Sequence, residues 1–112
     1  MGYLKFSSRI KTYLTHHFKL PEEQIELMLP EFKKTLSSHM ENLERIYRQD
    51  SLIDLQKAAH TIKGAFLNLG LKECAELAKK IEYGAADNDT TVDYAALIDR
   101  MRQIVDDIVN DR

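Results

Sequence analysis

The chain has 112 residues, a formal net charge of −2 from 16 Lys and Arg against 18 Asp and Glu, and one cysteine. That length makes one domain able to bury a core without metal or disulfide staples. The near-balanced charge excludes a general nucleic-acid binder, and the lone Cys74 excludes an intramolecular disulfide and points to a reducing interior.

Tyr3 to Phe18 carries Phe6, Ile10, Tyr13 or Leu14, and His17 at helical spacing after Tyr3. Leu20-Pro21-Glu22-Glu23 then reads as a helix start, with Pro at the first helical position and acids in the first turn. From there Ile25, Leu29, Phe32, Leu36, His39 or Met40, Leu43 and Tyr47 recur at steps of three and four. Pro30 falls inside this run, and because the apolar register continues across it we expect a kink, not a break. Asp50-Ser51 supplies the next cap, ahead of a stripe of Leu52, Leu55, Ala59, Ile62, Phe66 and Leu69 that ends at Gly70. Leu71, Cys74, Leu77 or Ala78, and Ile81 form the fourth stripe. Gly84 to Thr91 reads as a polar turn-forming loop, and Tyr94, Leu97, Met101, Ile104 or Val105, and Ile108 form the last stripe. Four substantial helices with short connections bury their stripes against one another, so the sequence predicts an all-α, antiparallel four-helix bundle with an additional N-terminal helix. The expected division is residues 1–20 for that helix and 21–112 for the bundle, within one domain.

His60 is the residue that carries chemistry in this reading. It follows Ala59 of the core stripe and is rotated about 100° away from it, so it faces outward. Its own row is Gln56, His60, Lys63, Gly64 and Leu67. A glycine inside a helix costs roughly 1 kcal/mol relative to alanine, so Gly64 asks for a reason. One turn after an exposed imidazole, it leaves room for something large to approach. An exposed imidazole near neutral pH is largely the uncharged nucleophile, whose distal nitrogen can take a phosphoryl group. Lys63 is placed to offset the phosphoryl charge, and Leu67 is an apolar seat on an otherwise outward row. Ala75, Lys79 and Glu82 fall off the fourth core stripe, and a carboxylate such as Glu82 could hold the imidazole's proximal N–H. Gln56, Leu67 and Lys79 are the expected partner-docking residues.

The stretch Ala58 to Glu82, AAHTIKGAFLNLGLKECAELAKKIE, resembles the histidine-containing phosphotransfer (HPt) family. The likeness rests on Ala59-His60-Thr61-Ile62-Lys63-Gly64, Asn68-Leu69-Gly70 and Leu77 through Ile81-Glu82, and the Pro30 helix extends it over about residues 21 to 112. The resemblance implies a four-helix bundle with His60 phosphorylated. It also implies exchange with the aspartate of response-regulator receiver domains, downstream of a hybrid sensor histidine kinase in a multistep phosphorelay. No cofactor is implied for this chain, because in that scheme Mg²⁺ sits on the receiver. Two positions depart from the family pattern. Ala65-Phe66-Leu67 is bulkier than the Ser-Ala-Ala runs common after the glycine, which predicts partner selection, and Glu82 stands where some members use Gln. Tyr3–Phe18 lies outside the resemblance.

Other features have simpler explanations. His16 and His17 are adjacent on a helix and diverge by about 100°, so they chelate poorly together. His39 falls near the second stripe as a packed or half-exposed residue; Cys74, Met28, Met40 and Met101 read as core, and Asp106 to Asp111 as a solvated face. A di-iron enzyme needs Glu-x-x-His pairs, but the residues three before the histidines are Tyr13, Leu14, Leu36 and Lys57. An autonomous kinase needs a glycine-rich phosphate loop that is missing. The competing reading is a receiver-binding adaptor or inhibitor that transfers nothing. The sequence lacks an apolar run near the roughly 18 residues of a membrane span, a signal-peptide pattern, and the Ser or Thr that a myristoylation motif would need at Phe6. The expectation is a cytoplasmic monomer that contacts neither nucleic acid nor membrane.

Overall fold

A computed structural model describes residues 6–110, which form five helices and no strands. They are α1 (Phe6–Phe18), α2 (Glu22–Arg48), α3 (Leu52–Asn68), α4 (Lys72–Ala86) and α5 (Tyr94–Asn110). The expected start of the first helix at Tyr3, and Asp111 of the acidic tail, lie outside the described residues.

Helices α2 to α5 pack each against the next, and α5 closes back on α2. Their apolar stripes meet in one core in which Ile25, Leu36, Met40, Leu43, Leu55, Ile62, Phe66, Ile81, Met101 and Ile108 are fully buried. This is the all-α bundle expected from the periodicity. Helix α1 packs on α2 and α5. It buries Ile10 and Leu14, while Tyr13 is only partly buried and His17 stacks on the Tyr13 ring in an exposed position. Lys11–Glu26 and Arg9–Glu73 ion pairs tie α1 to the start of α2 and of α4. Helix α2 runs unbroken through Pro30.

The ends of α3 have identifiable causes. Ser51 is its N-cap, its hydroxyl oxygen accepting from the Asp54 N–H at 3.3 Å. At the other end Leu71 N–H donates to the Phe66 carbonyl and Gly70 N–H to that of Leu67, a Schellman closure around Gly70 at φ +74°. A Cβ on Gly70 would also lie 2.3 Å from the Tyr13 ring. The glycine therefore both reverses the chain and lets α1 cross the α3–α4 turn.

Several expectations need correction. Tyr47, the last residue of the second stripe, is exposed, and Met28, read as core, is only half-buried. Pro21 is the N-cap with extended backbone (ψ 146°), not the first helical residue, and its carbonyl accepts from Gln24 and Ile25. Gly84 does not open a loop: α4 continues to Ala86 with Gly84 and Ala85 buried. A Cβ at Gly84 would stand 2.9 Å from the Tyr94 hydroxyl and 3.0 Å from Val92, so the glycine serves close helix packing. On α5 Ile98 is the buried residue and Leu97 only partly so. Ala75 and Glu82, placed off the core stripe of α4, are buried against the rest of the bundle.

Candidate functional site

Helices α3 and α4 are the most extensively packed pair in the bundle. Small buried residues on both helices, Ala59 on α3 and Cys74, Ala75 and Ala78 on α4, permit the closeness. Antiparallel packing across the tight turn at Gly70 then brings together side chains 22 residues apart. His60 Nδ1 lies 2.8 Å from Glu82 Oε2, and Lys63 Nζ lies 2.6 Å from Glu82 Oε1.

The three side chains differ sharply in exposure. His60 is 68% exposed, Lys63 19% and Glu82 12%. Burial pushes the Glu82 carboxyl up, but the hydrogen bonds from Lys63 and His60 outweigh it and hold the group below its ordinary value. Glu82 is therefore ionised near neutral pH. The same hydrogen bond raises the Lys63 ammonium above its ordinary value. An ionised carboxylate only accepts, so the proton on a neutral His60 ring resides on Nδ1 and is donated to Glu82. Nε2 is left with its lone pair, on a side chain that is largely exposed. Lys63 does not stand free, since its charge is balanced by Glu82.

The rest of the His60 row follows α3 outward. Gly64 has nothing within 4 Å of where a Cβ would sit. No internal packing demands a glycine there, in contrast to Gly70 and Gly84. Leu67 is 45% exposed, an apolar side chain one turn beyond Lys63, and Gln56 is partly exposed one turn before His60. Phe66 by contrast is fully buried. The bulk expected to select partners in Ala65-Phe66-Leu67 is therefore core packing at its centre, and Leu67 alone of the three is exposed. Lys79, on α4, places its ammonium 5.5 Å from the centre of the Tyr83 ring. Tyr83, at the next α4 position after Glu82, escaped the sequence reading. Its signal was a large aromatic off the core stripe, and its partners come from two helices, which sequence spacing does not reveal.

A groove of about 800 Å³ runs beside this row between α2 and α3, with Gly64 and Thr61 on its near wall. Met28, Phe32 and Leu36 of α2 line the far wall, and Leu14, Phe18 and Leu20 close one end. His39, expected as packed or half-exposed, is half-buried in that lining. Cys74 is buried, and burial pushes its thiol up to about 12, which makes it a poor nucleophile. Among the described residues no group of three or more His, Cys, Asp or Glu could hold a metal ion, and no helix is long and apolar enough to cross a membrane.

The arrangement is a largely exposed imidazole, its tautomer set by a buried carboxylate, beside an apolar groove. The model of the family described as Hpt domain matches residues 27–111. No curated protein and no solved structure matches the chain.

Proposed function

The chain belongs to the Hpt domain family, and on that premise we propose that it shuttles a phosphoryl group between receiver-domain aspartates through His60 Nε2. Hpt domains are phosphoryl carriers of phosphorelays, not kinases, and they work with receiver domains. The observation that carries the assignment to His60 is the 2.8 Å hydrogen bond from Nδ1 to the ionised Glu82, which leaves Nε2 as the nucleophile on an exposed face. His39 is half-buried, and His16 and His17 have no such carboxylate, as His60–Glu82 is the one His–carboxylate contact among the described residues.

In the transfer the partner's acyl-phosphate P–O bond breaks, and its electron pair stays on the aspartate. The N–P bond forms from the Nε2 lone pair, and Nδ1 keeps its proton. The ring thereby acquires a positive charge, which Glu82 faces directly. Gly64 grants access, while Gln56, Leu67 and the mouth of the α2–α3 groove seat the receiver. Lys63 acts in two ways: it keeps Glu82 ionised, and it lends positive charge at the edge of the site. Residues 21–112 form the carrier bundle, and the N-terminal helix, within residues 1–20, supplies the groove's end wall through Leu14 and Phe18. The phosphoryl group comes from the receiver of a hybrid sensor histidine kinase, with Mg²⁺ held on the receiver, in the cytoplasm.

The test is transfer from receiver domains charged by a hybrid kinase with labelled ATP and Mg²⁺, into wild type and His60→Gln. Label on wild type alone, lost in acid and kept in base, supports the carrier. Equal labelling of both proteins contradicts His60, and receiver binding with no label on either means an adaptor.

A further inference from the structure

Tyr83 is 55% exposed on α4 and takes no part in the core. Two ammonium groups converge on its ring. Lys63 Nζ, from α3, stands 5.7 Å from the ring centre, and Lys79 Nζ, one turn earlier on α4, stands 5.5 Å from it. Both fall within the ~6 Å reach of a cation–π attraction. Gathering two like charges on one side chain costs repulsion, and it does so at the edge of a site built around an imidazole nucleophile. Glu82 balances Lys63 at 2.6 Å. Among the described residues no carboxylate lies within ion-pairing distance of Lys79. Of the two ammonium groups on the Tyr83 ring, Lys79 is therefore the one that no carboxylate balances.

We propose that Tyr83 is a positioning residue for phosphoryl transfer, its ring holding Lys63 and Lys79 as a paired cationic edge that receives the phosphoryl group in transit. The inference rests on the carrier reading of His60. The arriving group brings close to two negative charges. Glu82 already engages Lys63 and must also face the imidazole as it becomes positive, so of the two lysines on the Tyr83 ring Lys79 is the one whose charge is left for the phosphoryl oxygens. A lysine ammonium is a point charge on a flexible four-carbon stem, and its position has to be set by what it touches. Here the ring of Tyr83, one turn away on the same helix, sets it. The tyrosine hydroxyl plays no part in this role, which separates it from hydrogen-bonding explanations.

Single-turnover transfer from a receiver domain charged with a small acyl phosphate tests this in wild type, Tyr83→Phe, Tyr83→Leu and Lys79→Gln. The phenylalanine variant keeps the ring face and transfers within about a factor of two of wild type, while Tyr83→Leu and Lys79→Gln each slow roughly two- to fivefold at saturating receiver. The lysine methylene proton resonances carry an independent signature: ring-current shifts persist in Tyr83→Phe and vanish in Tyr83→Leu. Wild-type speed in Tyr83→Leu overturns the proposal. So does Tyr83→Phe as slow as Tyr83→Leu, or a deficit that saturating receiver abolishes, because each removes the ring from the transfer step. A wild type that takes no label overturns the carrier reading itself, a failure seen before any variant is compared, and the proposal goes with it.

Discussion

Gly64 is the position where stability and function should part most clearly. It lies inside α3, where glycine costs a helix about 1 kcal/mol relative to alanine. A Cβ there meets no atom within 4 Å, so nothing in the molecule offsets that gain. Gly64→Ala should raise the unfolding free energy by about 1 kcal/mol and the melting temperature by roughly 4 °C. Gly64→Gln should also stabilise, since its side chain projects into solvent. Transfer from a charged receiver should move in the opposite direction, falling modestly for alanine and roughly ten- to a hundredfold for glutamine as the reacting atoms are held apart. Urea unfolding followed by circular dichroism gives the first quantity, and single-turnover transfer the second. A destabilised alanine variant would show that the space beside His60 is filled in the folded protein. Undiminished transfer in Gly64→Gln would show that no partner approaches over this face.

Gly70 should respond in the opposite sense to Gly64: Gly70→Ala forces a side chain into φ +74° and against the Tyr13 ring, so urea unfolding should show a loss of about 1–2 kcal/mol or more. The pH dependence of stability should carry a contribution from Glu82. Its folded-state value is depressed, so its contribution is complete above about pH 4.5 and is lost as pH falls through the lowered value. Urea midpoints of wild type and Glu82→Gln should therefore converge as pH drops below that point, and a constant gap across the acid range would contradict the assignment.

What was legible beforehand follows from how each signal arises. The stripes of α2 and α3 are long and strictly spaced, so Ile25, Leu36, Leu43, Ile62 and Phe66 could be placed in the core from periodicity alone. Gly70 was readable as a helix end because no competing signal surrounds it. Gly84 was misread because a glycine followed by a polar run resembles a loop, whereas here the missing side chain admits the Tyr94 hydroxyl and Val92 from outside the helix. Ile98 and Leu97 are adjacent, and only the angle at which α5 meets its neighbours decides between them. At the site, the outward row of His60, Lys63 and Gly64 was apparent from one helix. The capture of Lys63 by Glu82, the burial of that carboxylate and the two lysines on Tyr83 all depend on the register between α3 and α4. Sequence spacing within a helix carries no information about that register.

In the proposed relay one nitrogen of one imidazole carries the phosphoryl group. The chain has four histidines, so ¹⁵N-histidine labelling followed by NMR before and after charging from a phosphorylated receiver resolves them individually. His60 alone should change, with the N–P bond at Nε2 and the proton retained at Nδ1. Phosphorylation at Nδ1, or at His16, His17 or His39, would contradict that assignment.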